Sequence, residues 1–292
     1  MRRYLICSIS KLMFATEYYY LVAGLREWTL DSDAKGFDVR EIIDDIVVEL
    51  TRGDREAVRM LYAYYDCENI VAARNGRDRH NPLGNLSKEE VAEVLNERRY
   101  TLLPQRVAKV VKLYVEAEDE ERDEQVSLDE RFERALYVAY YEDLAHSKCS
   151  FLRGWGEFDR NLRNIAAAVA AREAGRTVGD VVVGGGDVVE QLRRSSAADF
   201  GLRGELQYID AVISAVSDEK NIVEKERKID AIRWSEAEEI AVFDYFNINY
   251  ILSYLVKVNI VARWMLLSPE VGREMLNRLM QDLDAKDLVN KQ

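Results

Sequence analysis

The sequence predicts an all-α protein, and three observations carry that expectation. Apolar residues recur at three-to-four spacing over most of the chain. Only 3 Pro and 15 Gly punctuate 292 residues, too few for a strand-rich sandwich or barrel that turns every ~8–12 residues. Apolar residues make up 48% and charged residues 32%, the balance of a folded chain and not of a disordered one. The length accommodates two ordinary domains or several small helical units.

Residues 1–17 read as an N-terminal extension. Arg2 and Arg3 precede an apolar run in the manner of a signal peptide, but Lys11 interrupts that run and no A-x-A-type cleavage site follows. The reading is an upstream extension with Met13 as the natural start; a signal, an anchor or an ordinary N-terminal segment are the alternatives. No stretch reaches the ~18–20 uninterrupted apolar residues of a membrane span.

Residues 18–25, YYYLVAGL, form a short run that periodicity alone assigns neither to a strand nor to the first turn of a buried helix. Residues 38–50 place Val39, Ile42, Ile43, Ile46, Val47 and Leu50 on one helix face behind Asp38 as N-cap. Gly53-Asp54 restarts a helix through Val58, Leu61, Tyr62 and Tyr65. Residues 76–87 are a loop around Pro82, and Ser87 with Glu90 forms a capping box. The segment 116–130 holds nine acids and one Arg, so it carries -8 of the net charge of -12. It reads as a solvated helix face or loop, or as a docking site for a basic partner. Residues 132–174 are helical with an expected break at Gly154-Trp155-Gly156, and a second break falls at 175–187. A helical pattern then runs from Leu192, interrupted at 199–204 and 217–221. It includes a stripe of Ile240, Phe243, Asn247, Tyr250, Ile251, Tyr254, Leu255 and Val258. Ser268-Pro269 opens a final helix.

One pattern recurs: an aromatic residue, then Asp or Asn, then an Asn two to five residues on, then an apolar helical run. It reads Tyr65-Asp66 with Asn69, Phe158-Asp159 with Asn164, and Phe246-Asn247 with Asn249. The aromatics stand 93 and 88 residues apart (65, 158, 246), close to a third of the chain. Asp66, Asp159 and Asn247 are expected to cap the helices that follow, and Asn69, Asn164 and Asn249 to tie them to neighbouring turns. The plainer alternative is a set of helix-entry signals with no function of their own. Three helical modules follow from the pattern: 18–115, 116–198 and 199–292.

Familiar chemistry is sparse. Three Cys and two His exclude a disulfide framework and disfavour a zinc site. Asp143, His146 and Cys149 share a helix face, but the chain holds no Glu-x-x-His of the carboxylate-bridged metal sites. Gly184-Gly185-Gly186 follows three valines without a phosphate-loop or dinucleotide motif and reads as a flexible turn. No G-x-S-x-G or H-E-x-x-H occurs. The acidic balance argues against a nucleic-acid partner. No catalytic, cofactor or metal residue is assigned, so the expectation is a protein that is not an enzyme and needs no cofactor.

The most individual text lies in DFGLRGELQYIDAVISAV at 199–216 and the long run at 226–264, with YYYLVAGL at 18–25 and YYDCENIV at 64–71. Together these resemble an uncharacterised bacterial family encoded among V-type ATPase genes. That family in turn is similar to the C-type stalk component of V-type ATPases (the d-type component in eukaryotes), through the helix-entry element D-x-x-N-I at 66–70. The resemblance spans about residues 18–282. It implies three related all-helical modules around a pseudo-threefold axis. The implied role is a non-catalytic spacer of the central stalk, joining the membrane rotor ring to the central-shaft subunits. It further implies a cytoplasmic protein peripheral to the inner membrane. Contact residues do not carry over; loops 76–87, 116–130 and 175–187 are expected to contribute most. A soluble helical adaptor or assembly factor for the same complex is the alternative, and an enzyme built on clustered carboxylates is a more distant one.

Overall fold

The computed structural model describes residues 16–30, 37–117, 125–217 and 221–266, and among these every regular element is a helix. The chain order is α1 (Tyr19–Gly24), α2 (Val39–Glu49), α3 (Arg52–Arg74), α4 (Lys88–Asn96), α5 (Gln105–Ala117), α6 (Gln125–Ala145), α7 (Ser150–Glu173), α8 (Asp187–Arg194), α9 (Ile209–Val216), α10 (Ile222–Ile240) and α11 (Ile248–Leu266). Short 3₁₀ turns occupy Tyr100–Leu102 and Val178–Asp180. The N-terminal extension up to residue 15, the centre of the acidic segment and the helix expected from Ser268 lie outside the described residues. No described helix is long and apolar enough to cross a membrane.

Local chemistry sets the helix starts. The Asp38 carboxylate accepts from the N–H groups of Arg40 and Glu41 at 2.8 and 3.2 Å, and Thr51 caps α3 through Asp54 N–H. Ser87 and Glu90 form a reciprocal capping box on α4, and Asn221 caps α10. Each cap satisfies N–H groups that a helix leaves without partners. The ambiguous run at 18–25 resolves as the short helix α1.

Three long helices form the centre. α3, α7 and α11 each pack against both of the others. Each also packs on the helix that precedes the next one in the set: α3 on α6, α7 on α10, and α11 back on α2. A single continuous apolar core runs through all of them, including Ile70, Phe132, Leu144, Phe151, Ile165, Leu192 and Leu255.

Two expectations about where helices break change. α7 runs unbroken through Gly154 and Gly156. The glycines serve approach instead of interruption: a Cβ on Gly156 would stand 2.8 Å from Leu144 Cβ, so its absence lets α6 and α7 close together. The stripe expected from Ile240 to Val258 is divided, because residues 241–247 form a turn that leaves Phe243 87% exposed. Asp244 supports this turn by accepting from Asn247 and Asn249 side chains, which offers the backbone an alternative to continuing the helix.

Candidate functional site

The residues singled out by the recurring pattern are structural fasteners, and the helices explain their geometry. Asn69 lies in mid-α3, buried, with its amide edge turned to the loop that follows. Its Nδ2 donates to the Asn81 carbonyl at 3.0 Å and its Oδ1 accepts from Asn81 N–H at 2.6 Å. Asn164 repeats the arrangement in α7, donating to the Val183 carbonyl at 2.9 Å and accepting from Val183 N–H at 2.7 Å. Each amide imitates a strand neighbour and satisfies both backbone groups of one loop residue. Loops 76–87 and 175–187 are thereby pinned to rigid helices.

The expected capping roles of Asp66 and Asp159 are not those observed. Both lie well inside α3 and α7, where every nearby helical N–H already has its partner. Asp66 instead accepts from Leu86 N–H at 2.9 Å and Asn85 Nδ2 at 2.6 Å, at the far end of the loop that Asn69 holds. Gly84 makes this fit possible, since a Cβ there would meet Asn69 Nδ2 at 2.7 Å and Asp66 Oδ1 at 2.8 Å. Burial pushes the Asp66 carboxyl above its ordinary pKa of 3.8, and the donors from Asn85 and Leu86 offset this only in part.

Asp159 belongs to a different construction. It accepts from Tyr141 O–H and Arg163 Nε, each at 2.8 Å, and Arg233 of α10 approaches to 3.5 Å. Burial raises its pKa, but the two guanidinium groups outweigh burial and hold it below 3.8. The chain of charges continues. Arg233 pairs with Asp230 at 3.1 Å, and Asp230 accepts from Arg263 at 2.9 Å and from Trp264 Nε1 at 3.0 Å. Arg263 also pairs with Glu226. Three acids and three arginines therefore neutralise one another and bind α7, α10 and α11 together.

The aromatics flank these fasteners. Tyr65 packs on Tyr62 and Tyr64, and Phe158 packs between Trp155 and Tyr208. Phe246 packs on Tyr19 at 4.6 Å, and its carbonyl accepts from Tyr18 N–H at 2.5 Å. Asn247 accepts from Asn249 N–H at the start of α11. Asn249 reaches the head of α7, accepting from Phe151 N–H at 3.3 Å and donating to Ser150 Oγ at 2.9 Å.

The helical register also identifies a residue the pattern missed. Asn69-Ile70-x-Ala72, Asn164-Ile165-x-Ala167 and Asn259-Ile260-x-Ala262 recur with an unvarying period of 95 residues (69, 164, 259). These three Asn lie on α3, α7 and α11, the mutually packed helices. Asn259 accepts from Tyr62 O–H of α3 at 3.0 Å. In this register Asn161 stands where Asp66 stands. An alignment anchored on the Asn-Ile dipeptide makes the period visible in the sequence.

The arrangement binds the protein to itself. Asp66 and Asp159 are 3% and 5% exposed, so their oxygens meet the protein's own donors. Cys67 is fully buried and burial pushes its thiol well up; burial also raises Cys149, whose sulfur lies 3.2 Å from Asn249 Oδ1. Asp143, His146 and Cys149 diverge. Asp143 accepts from Arg106 and Val107 N–H at the head of α5, and His146 Nδ1 lies 2.7 Å from the Glu142 carbonyl. Among the described residues no three His, Cys, Asp or Glu stand close enough to hold a metal ion.

Among the described residues a group of aromatic side chains stands exposed at the surface. α1 and the 241–247 turn meet through the Tyr19–Phe246 pair and together expose Tyr20 (96%), Phe243 (87%) and Tyr245.

A family model described as a protein of unknown function, DUF2764, matches residues 15–286. No curated protein and no solved structure matches the chain.

Proposed function

Starting from the fact that the chain belongs to the DUF2764 family of unknown function, we propose that it acts as a non-catalytic component of the central stalk of a V-type ATPase or ATP synthase. In this role it is a spacer that couples the membrane rotor ring to the central shaft, peripheral to the membrane on its cytoplasmic side. The reading treats α3, α7 and α11 as the cores of three related modules set around an approximate threefold axis. The observation that carries it is the cyclic order of packing, α3 on α6, α7 on α10 and α11 on α2, joined to the 95-residue recurrence of Asn-Ile on those three helices.

A part that transmits torque needs a body whose elements do not slide past one another. Asn clamps and a neutralised ion-pair chain between helices supply directional, buried contacts of that kind. Near-equivalent modules suit a seat on a ring of repeated subunits. The pinned loops and the aromatic surface at α1 and 241–247 are the faces such a body offers to partners.

The test is a pull-down from solubilised membranes with a C-terminally tagged copy. Rotor-ring and shaft subunits recovered in near-equal amounts with the bait are the expected result. Recovery of the protein alone removes the stalk reading, and substoichiometric recovery confined to incomplete complexes replaces it with an assembly factor.

A further inference from the structure

We propose that the cleft where α6, α7 and α8 converge on the glycine-rich loop binds a small phosphate-bearing anion. The cleft has a volume of about 280 Å³ and is walled by Arg134 of α6, Arg160 of α7 and Arg193 of α8, with Gly184 and Gly185 on its remaining side. In a chain with net charge -12, three guanidinium groups brought to one concavity from three helices form a local reversal of charge.

The acids nearby do not cancel it. Glu142, which lines the cleft, is shared with Arg106 at 3.8 Å. Glu190 pairs with Arg193 at 3.3 Å and is also shared with Arg194. Arg134 donates to the Asp180 carbonyl, a neutral acceptor, and among the described residues it forms no ion pair. Arg160 is the central residue. Its Nε is buried and makes no hydrogen bond, and no carboxylate among the described residues forms an ion pair with it. The Arg160 guanidinium thus lines the cleft with no carboxylate of its own, and an oxyanion there would supply the missing counter-charge.

The loop contributes through its backbone. Gly184 adopts a left-handed backbone at φ +83, and a Cβ there would stand 3.5 Å from Arg160 Cδ. Glycine suits that left-handed conformation, which other residues rarely adopt. Among the described residues the N–H groups of Gly184 and Gly185 donate to no backbone carbonyl. The Asn164 clamp on Val183 fixes where this loop begins.

Planar guanidinium forks match the oxygens of a phosphate, and several of them suit more than one negative charge. The volume falls just below the ~300–1,000 Å³ of pockets that enclose drug-sized ligands. The cleft therefore has room for a phosphate or pyrophosphate group. This inference is independent of the stalk reading. It is measured on the isolated protein, so either can fail without the other.

Titration calorimetry of the full chain with inorganic pyrophosphate and phosphate at physiological salt tests it. Saturable binding is expected, weakened about tenfold or more by Arg160→Gln and by Gly185→Asp. The latter adds a carboxylate where a Cβ meets nothing within 4 Å, so it carries the test if Arg160→Gln misfolds. Arg203→Gln, which breaks an exposed pair with Asp210 that forms no part of the cleft, leaves binding unchanged. Absence of saturable heat overturns the proposal, as does equal affinity in the Gly185→Asp protein. Failure of both phosphates together with binding of an acidic peptide that Gly185→Asp abolishes would replace it with a protein-docking site.

Discussion

Two aspartates of similar burial, Asp66 and Asp159, illustrate how neighbours decide a side chain's contribution. Asp66 has only neutral donors, so its charge is poorly compensated. Asp159 has two guanidinium groups and remains an anion. Asp66→Asn is expected to cost only about 1 kcal/mol at neutral pH, because relief from burying charge offsets most of the penalty of turning an amide NH2 toward the donors Asn85 Nδ2 or Leu86 N–H. Asp159→Asn is expected to cost about 3 kcal/mol, since it leaves Arg233, only 16% exposed, with one carboxylate fewer. Urea denaturation of both variants at neutral pH checks the contrast, and equal losses would refute it. Asn164→Ala removes both bonds to Val183 and is expected to cost about 1–3 kcal/mol, with faster proteolysis in the 175–187 loop than in the parent.

At the scale of elements, glycine has opposite meanings in two helices. Gly156 of α7 faces Leu144 of α6, where a methyl group would overlap Cβ at 2.8 Å. Gly156→Ala therefore forces the helices apart and is expected to cost about 1–3 kcal/mol despite alanine's better helix propensity. Gly53 near the start of α3 is open: a Cβ added there would meet nothing within 4 Å. Gly53→Ala is expected to stabilise by about 0.4–1 kcal/mol, through loss of unfolded-state freedom. Thermal melts of the two variants should shift in opposite directions. The sequence marked the Gly154–Gly156 pair as a break because propensity counts only the local cost of glycine. The closeness of α6, which reverses that judgement, is a tertiary fact.

The whole molecule answers to pH through the same two carboxylates. Asp159 has a folded pKa below its unfolded value of 3.8, so its stabilisation is complete above that value and is lost as pH falls through the lower folded pKa. Asp66 has a raised folded pKa, so its contribution is full below 3.8 and is lost as pH rises through the folded value. On acidification from neutrality, protonation of Asp66 comes first and relieves burial, and protonation of Asp159 follows below pH 3.8 and releases the ion-pair chain. Urea midpoints measured against pH should show Asp66→Asn gaining on the parent only above this window. The Asp159→Asn deficit should shrink below it. Parallel curves would contradict both assignments.

Helical class, the caps at Asp38 and Ser87, and the loop at 76–87 were legible in the sequence because each depends on residues a few positions apart. The Asn-Ile period was also written there, though an alignment through the aromatic residues obscured it. The functions of Asp66, Asp159 and Asn164 were not legible. Their partners Leu86, Arg233 and Val183 lie 19 to 74 residues away, and the same side chains that cap helices locally also satisfy distant loops and cations. The Arg134–Arg160–Arg193 cleft exists only because three helices converge, and its charge is invisible in a chain that is acidic on average. The sequence by itself determined the helical class and the segment ends marked by local caps and loop residues. Tertiary packing decided which buried polar groups meet, because the cost of leaving any of them unpaired is settled only when the core closes.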